Sequence, residues 1–311
     1  MSRRRNRGLT GPNGILLVDK PRGPTTRDVL RTLSYRLGMR STGHCGTLDP
    51  LATGLVVVVS GAATRIQDLL TGSDKTYRAG LTFGATSATE DAEGPITPTA
   101  PEGELRAPPR AELEAVLAGF VGEYDQRPPV FSAVRIEGRR LHKMAREGEL
   151  PEEIPLRRVR IDRIELIDYD WPRAEIEVAC GAGTYVRSLG RDIGEALGVG
   201  AYLHGLRRTR SGDFDVAEAH DPETVELDAV LPLERAFRHE PGLEVSEDEF
   251  VRLLQGKRLP APEGRLVIHD EIVRLGGRVA GRLRALDGGR VFRMRRLIVD
   301  PRRPEDAGPA D

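Results

Sequence analysis

The chain has 311 residues, of which 39% are hydrophobic and 31% charged, and its formal net charge is −1. This composition predicts a folded globular protein and excludes a long apolar span, because no run approaches the ~18 apolar residues that cross a bilayer. The only cysteines, Cys45 and Cys180, form no Cys-x-x-Cys pair and no histidines cluster, so neither a disulfide framework nor a metal site is expected. The basic start lacks the apolar stretch of a secretory signal, and a cytoplasmic protein is expected.

The first half of the chain predicts alternating strands and helices. Residues 1–12 are rich in arginine and predict a flexible basic arm. A helix is expected to begin at Thr25 or Thr26 and to end at Gly38, because apolar residues recur at helical spacing between them. The other predictions here are strands over 14–18, 55–59 and 76–83, helices over 62–70 and 109–120, and an exposed connection over 92–110.

The second half predicts the rest of a large domain and then a smaller one. The pattern favours strands over 130–136, 159–167 and 174–180, a basic helix or thumb-like excursion over 139–146, and a helix from 183 to 197. An acidic segment over 217–240 then connects to a domain that opens with a capping box, Ser246–Glu249. Short runs over 265–268, 271–275, 278–286 and 291–299 predict a small all-β barrel, and residues 301–311 predict a disordered tail.

One glycine-punctuated loop, Gly43–Gly54, carries the strongest sign of chemistry. It holds a single carboxylate, Asp49, directly before the apolar run Leu55–Val59, so the carboxylate would sit on a tight loop against a buried strand. The alternative is a helix cap, because Asp followed by Pro50 is a favoured helix start. Spacing alone favours the cap, and the two roles are compatible.

Two glycine patterns suggest a nucleotide-binding site, but each lacks a residue that such a site requires. Gly181-x-Gly183 follows a predicted strand, yet the third glycine of a dinucleotide fingerprint is missing. Gly256-Lys257-Arg258 lacks the loop and the hydroxyl of a phosphate-binding loop. No nucleotide cofactor is therefore expected. Arginine clusters could form an RNA-binding face balanced by the acidic segment, although scattered surface arginines explain the charge equally well.

Several blocks of the sequence, taken together, resemble one family. The Asp49 loop is similar to the catalytic motif of the TruB family, in its bacterial type, whose members form pseudouridine 55 in tRNA. Four further blocks occur in the family's order: Gly14–Pro21, Ser73–Tyr77, Gly183–Arg187, and a stretch from Gly198 to Arg210. The resemblance implies an α+β pseudouridine synthase fold, with a central mixed, mostly antiparallel sheet flanked by helices and a PUA-like C-terminal domain. The expected division is 1–12, 13–238, 239–300 and 301–311.

The resemblance also implies a mechanism and a set of site residues. Asp49 would be the nucleophile, attacking either the sugar or the ring; Arg187 would keep it ionised; Tyr77 would stack on the base and could accept the carbon 5 proton. Substrate-binding positions would be His44, Tyr77, Tyr185, Leu206 and Asp91. From the residues alone, four of these have a simpler interpretation: Arg187 as a surface residue of its helix, Tyr77 and Leu206 as core, and His44 as a surface or hydrogen-bonded residue. The family implies a monomer that acts on the tRNA T-arm without cofactor or protein partner.

The chain departs from the family pattern at a few positions. Ala88 stands where Asp is common, Phe131 and His142 where Tyr is common, Arg135 where Lys is common, and Cys45 where Thr is usual. These changes bear on RNA contact more than on the chemistry. Two alternative functions stay open: a non-catalytic RNA-binding or tRNA-folding protein on the same scaffold, and a guide-RNA-dependent pseudouridine synthase.

Overall fold

The computed structural model describes residues 12–303 apart from residues 40 and 102, and no helix among them is long and apolar enough to cross a membrane. The predicted arm falls almost wholly outside these residues, as does most of the predicted tail. The helices are α1 Thr26–Arg36, α2 Gln67–Thr71, α3 Arg110–Gly119, α4 Leu141–Glu147, α5 Val186–Ala196 and α6 Glu247–Leu254. The strands are β1 Gly14–Lys20, β2 Thr42–His44, β3 Thr53–Ser60, β4 Lys75–Phe83, β5 Ala85–Ser87, β6 Ile96–Pro98, β7 Gly122–Gln126, β8 Arg135–Ile136, β9 Arg139–Arg140, β10 Arg157–Asp170, β11 Arg173–Cys180, β12 Ala201–Ser211, β13 Phe214–Asp215, β14 Gly242–Glu244, β15 Leu259–Pro260, β16 Ile272–Leu275, β17 Arg278–Leu286 and β18 Val291–Leu297.

A nine-stranded sheet forms the centre of the molecule, in the order β1-β3-β12-β4-β11-β10-β7, with β2 on β3 and β13 on β12. All of its pairings are antiparallel except that of β3 with β12. The expectation of a mixed, mostly antiparallel sheet is therefore confirmed. β1 and β3 are buried on both faces, which explains why the valine run has no polar alternation.

Two apolar clusters cover the two faces of β1 and β3. Leu16, Val56 and Val58 pack on the side of α1 and α5, and Ile15, Leu17 and Val57 pack on the opposite side. The second cluster also contains Ile272, Val279, Ile298 and Val299 from the C-terminal part of the chain. The C-terminal sheet is therefore fastened to the back of the large sheet by a shared apolar interface.

The C-terminal sheet has five strands in the order β14-β16-β17-β18-β15, curled into a half-barrel as expected for a PUA-like domain. Ser246 caps α6 in a capping box with Glu249, as predicted. The predicted strand at 265–268 is wrong, since those residues are irregular, and β14 and β15 were not predicted. The domain boundaries given above stay predictions.

Other elements differ from the sequence expectations in detail. Thr25 rather than Thr26 caps α1, and the predicted helix over 62–70 is a 3-10 helix, Gly61–Ile66, that continues as α2. The predicted strand at 130–136 is wrong except at its end, because residues 130–133 form bends and only β8 pairs. Strand β12 was not predicted, although it lies at the centre of the sheet between β3 and β4.

Candidate active site

A cavity of about 690 Å³ opens where the Asp49 loop, β4, β12 and the start of α5 meet. Six of the seven residues singled out in the sequence line it: Asp49, Tyr77, Asp91, Tyr185, Arg187 and Leu206. They come from five separate parts of the chain, and the sheet order brings them together. The volume lies within the range of small-ligand sites.

His44 is the exception among the predicted residues. It ends β2 and is half-buried, but it is not part of the cavity lining. Its Nδ1 is buried without a hydrogen-bond partner among the residues that the structure describes. Burial, together with the nearby Arg208 and Arg27, lowers the pKa of His44, so the ring is neutral at pH 7.

The loop that carries Asp49 is held on both flanks. The Leu48 N–H donates to the Thr26 hydroxyl at 2.9 Å, and that hydroxyl donates back to the Leu48 carbonyl. Lys20 Nζ donates to the Pro50 carbonyl at 3.4 Å. Residues 50 and 51 form a bend that leads into β3, and the Ala52 N–H donates to the Asp49 carbonyl. The helix-cap interpretation of Asp49 is therefore wrong, and its side chain is available for another role.

Arg187 is the ionic partner of Asp49. Its Nε lies 3.0 Å from Asp49 Oδ2 and 3.8 Å from Asp91 Oδ2. Its two terminal nitrogens donate to the carbonyls of Thr89 and Phe131 at 3.0 and 2.9 Å. The side chain is only 7% exposed, so the surface interpretation drawn from helical periodicity is wrong. Because all three nitrogens have partners, the guanidinium is fixed and in turn fixes the Asp49 carboxylate.

The Asp49 carboxylate is accessible from the cavity but lies below the protein surface. Its side chain is 41% exposed, whereas that of Asp91 is 3% exposed. Burial raises the pKa of Asp49, and the Asp91 charge adds to that rise, while Arg187 and Lys20 oppose it. Burial also raises the pKa of Glu93, which lines the same cavity beside both aspartates. Three carboxylates thus share the positive charge of Arg187.

Tyr77, Tyr185 and Leu206 line the cavity beside this charged group. Tyr77 is only 9% exposed and belongs to the main core, so its core and cavity interpretations both hold. Burial raises the pKa of the Tyr77 hydroxyl, which the adjoining Arg208 guanidinium opposes. Tyr185 immediately precedes α5, where its backbone is held by the Gln126 side chain through bonds of 2.9 and 3.1 Å.

Three buried cations near the cavity were missed in the sequence analysis. Lys20 is fully buried and donates to the carbonyls of Pro21 and Pro24 as well as that of Pro50. Lys75 donates to two carbonyls, and burial beside Arg208 lowers its pKa to about 8. Arg208, 1% exposed, donates to the Leu55 and Gly46 carbonyls at 2.6 and 3.1 Å. The alternation of inward and outward side chains along β4 could have identified Lys75, because Lys75 lies on the same inward face as Tyr77.

Two of the positions that depart from the family pattern also meet the cavity. Phe131 and His142 both line it, and the Phe131 carbonyl is one of the acceptors that hold Arg187. Arg135 belongs to the small β8–β9 hairpin, outside the lining. Ala88 bonds through its backbone N–H to the Pro95 carbonyl.

Comparisons with known proteins agree on one family. The family model described as "TruB family pseudouridylate synthase (N terminal domain)" matches residues 35–186, and "tRNA pseudouridylate synthase B C-terminal domain" matches residues 187–239. The tRNA pseudouridine synthase B of Azoarcus sp. (strain BH72) is 42% identical over 259 residues, which are 81% of this chain and 84% of that protein. The protein of the same name from Stutzerimonas stutzeri (strain A1501) is 38% identical over 301 residues, 92% of this chain and 95% of that one. A solved chain described as "Crystal Structure of a Cbf5-Nop10-Gar1 Complex" shares the fold, with a TM-score of 0.67, 24% identity, and coverage of 93% of this chain and 85% of that chain.

Proposed function

The chain belongs to the TruB family of pseudouridylate synthases, and we propose that it isomerises uridine 55 in the T-arm of tRNA to pseudouridine. One observation carries the proposal: a carboxylate open to a cavity, Asp49, is held 3.0 Å from a buried guanidinium, Arg187, and the same cavity is lined by Tyr77. Its relatives of about 40% identity bear the name of a tRNA-modifying enzyme.

The reaction needs no external reactant. The bond between ribose carbon 1′ and uracil nitrogen 1 breaks, the base turns, and a bond forms between carbon 1′ and carbon 5. Carbon 5 loses a proton and nitrogen 1 gains one, so atoms and electrons balance within the nucleotide. The protein must therefore supply a nucleophile, a proton acceptor and a site in which the detached base is retained.

Asp49 is the nucleophile, and it acts on either ribose carbon 1′ or the pyrimidine ring. A nucleophilic carboxylate must be ionised, yet burial opposes ionisation by raising the pKa of Asp49. Arg187 counters this effect and orients one carboxylate oxygen through the 3.0 Å contact. Asp91 is held nearby by the Thr89 hydroxyl and the Glu93 N–H, so it helps to keep the guanidinium in place.

Tyr77 provides the surface on which the base stacks and the acceptor for the carbon 5 proton. The raised pKa of Tyr77 keeps its hydroxyl neutral in the resting site, and a neutral phenol is a weak base. To take the carbon 5 proton, the hydroxyl must therefore give up its own proton, and nitrogen 1 of the base needs one, so the two transfers balance. The adjoining Arg208 cation favours the phenolate and so eases this exchange. Leu206 and Tyr185 complete the pocket for the base.

The uridine must leave its stack to reach Asp49. A cavity of about 690 Å³ accommodates a flipped nucleotide, and His142 and Arg146 bring α4 to its edge. His44, which lies next to the loop rather than in the lining, would fill the place that the base vacates in the RNA. The protein acts as a cytoplasmic monomer, without a guide RNA or a protein partner.

The test is release of tritium from unmodified tRNA that carries uridine tritiated at carbon 5. The purified chain alone should release tritium and place pseudouridine at position 55. Asp49→Asn should bind the tRNA but release no tritium. Asp228→Asn, which changes an exposed carboxylate in a short 3-10 helix outside the cavity lining, should match the wild type. Full turnover by Asp49→Asn would refute the assignment of Asp49 as the nucleophile. Activity only with an added guide RNA would favour the guide-dependent alternative, and binding without any conversion would favour the non-catalytic one.

A further inference from the structure

Glu90 combines two features that are costly in a folded protein. Its backbone lies in the left-handed region with φ of +63°, which a residue with a Cβ rarely adopts. Its carboxylate is also buried, with the side chain 13% exposed, and burial raises its pKa. Both features persist only when surrounding contacts determine the conformation. Glu90 lies in the loop before Asp91, outside the cavity lining.

The contacts that hold Glu90 come from α5. The Ser188 hydroxyl donates to Glu90 Oε2 at 2.8 Å, and Arg191 Nη1 pairs with Glu90 Oε1. Ser188 is fully buried and the Arg191 side chain is 11% exposed. Arg187 is on the same helix, one turn before Arg191. The helix that supplies the partner of Asp49 thus also grips the neighbouring loop through two side chains.

Arg191 extends this grip toward the other side of the cavity. It donates to Asp192 Oδ1 at 2.7 Å and to the Arg127 carbonyl at 2.9 Å. Asp192 Oδ2 accepts from the Tyr124 hydroxyl at 3.4 Å. That hydroxyl in turn accepts from Gln126, whose side chain holds the backbone of Tyr185. The buried polar network therefore reaches from the Glu90 loop to a wall of the cavity.

The Glu90 loop also determines the position of Arg187. The carbonyl of Thr89, the residue before Glu90, accepts from Arg187 Nη1 at 3.0 Å. Asp91, the residue after it, lies 3.8 Å from Arg187 Nε. On its other side the loop pairs with β12, because the Leu203 N–H donates to the Glu90 carbonyl and the Ala92 N–H donates to the Leu203 carbonyl. A shift of Glu90 would therefore move the contacts of Arg187 with Thr89 and Asp91 at once.

We propose that Glu90 and Arg191 are positioning residues, a buried ion pair that fixes the 89–91 loop against α5 and thereby sets the geometry between Arg187 and Asp49. The inference rests on the proposed function, because it assigns the pair a part in the reaction at Asp49. The pair acts through Arg187 and Asp91 and does not touch the substrate. Its removal changes the rate of the chemical step more than it changes tRNA binding.

Two variants separate this role from general stability. Glu90→Gln keeps the size of the side chain but removes its charge. Glu90→Gly removes the side chain and relieves the left-handed backbone, and Arg191 keeps Asp192 and the Arg127 carbonyl as partners, so the variant is expected to fold. Glu114→Gln is the matched control, because it removes one carboxylate from an arginine pair on the exposed surface of α3.

The measurements are tRNA affinity and kcat for tritium release as a function of pH. Both Glu90 variants should lose about tenfold or more in kcat, with affinity within twofold, because a small misplacement of a reacting group is costly. Arg191→Met is measured both alone and combined with Glu90→Gly. Because Glu90 and Arg191 act as one unit, the double variant should lose no more activity than the more damaging of its two single variants.

The pH profile gives a readout that a loss of folded protein would not change. Asp49 faces Arg187, Lys20, Asp91 and Glu93, and a displaced Arg187 opposes the rise in the pKa of Asp49 less well. The acidic limb of kcat should therefore move to higher pH, by about 0.5 to 1 unit. If the wild type is active and both Glu90 variants keep its kcat and the position of its acidic limb, the inference about Glu90 and Arg191 is overturned while the proposed function stands. An inactive wild type would overturn the proposed function and the inference with it.

Discussion

Replacing Arg187 with methionine removes the charge that holds Asp49 while keeping a long side chain in place. The change leaves the Thr89 and Phe131 carbonyls without their donor and removes a cation from beside Asp91, whose side chain is 3% exposed. Breaking a buried ion pair by removing one partner costs about 3–5 kcal/mol. Asp49 adds only a smaller part, which depends on pH, because its side chain is 41% exposed and screened by solvent. The free energy of unfolding should therefore fall by about 3–5 kcal/mol.

The pH dependence of that loss follows from the pKa of Asp49. Its folded pKa is raised above the unfolded value, so the stability linked to its protonation is fully present below the usual carboxyl range and is lost as the pH rises through the folded pKa. Without Arg187 the pKa of Asp49 rises further, because the largest opposing influence is gone. The variant should therefore lose more stability relative to wild type at pH 7.5 than at pH 4.

Urea unfolding of both proteins at the two pH values measures the effect, and tritium release measures its catalytic consequence. kcat should fall by about 100-fold or more, since the nucleophile loses its orientation. Arg163→Met is the stability control: it removes an exposed arginine that also pairs with two carboxylates, and should cost about 1 kcal/mol or less. A loss below 1 kcal/mol for Arg187→Met, or an equal loss at both pH values, would refute the reasoning.

Three further predictions follow from other parts of the site. Tyr77→Phe should keep tRNA affinity but lower kcat by about 100-fold, measured by tritium release, because it retains the ring and removes the proton acceptor; an unchanged kcat would assign Tyr77 to stacking alone. Lys75 has a pKa lowered to about 8, so its charge disfavours the folded state below that pH, and stability should rise as the pH increases from 8 toward 10.5. This increase in the free energy of unfolding amounts to about 3 kcal/mol, and it should be absent when Lys75→Met is unfolded in urea. If the variant still showed the increase, another titrating group would be its cause. Gly54→Ala should lower the free energy of unfolding in urea by about 2–4 kcal/mol, because the new Cβ would lie 2.3 Å from the Arg208 carbonyl oxygen at a φ of +98°. Gly23→Ala is the control, since Gly23 has a φ of +111° but open space around it, and it should cost about 1–2 kcal/mol. Equal losses in the two variants would contradict a steric clash at Gly54.

Local sequence patterns determined the elements in which near neighbours supply the stabilising contacts. Thr25 and Asp28 form the capping box that starts α1, and the alternation of Tyr77 with the apolar residues of β4 follows directly from a strand with one face in the core. The fold class followed from the order of the blocks that resemble the TruB family. Each of these conclusions depends on residues that are close in the sequence or on a pattern that survives without three-dimensional information.

Only the tertiary structure decided which polar residues lie inside the protein. Arg187 and Lys20 resemble surface residues in the sequence, but both are buried. Arg187 donates to the distant carbonyls of Thr89 and Phe131 and pairs with Asp49, and Lys20 donates to the distant Pro50 carbonyl as well as to the nearby carbonyls of Pro21 and Pro24. Strand β12 was missed for a similar reason: three of its eleven residues are arginines, and it is stabilised by pairing with β3 and β4, which lie more than a hundred residues earlier. A charge is tolerated in the interior only where partners satisfy it, and those partners are brought together by the sheet order rather than by spacing along the chain.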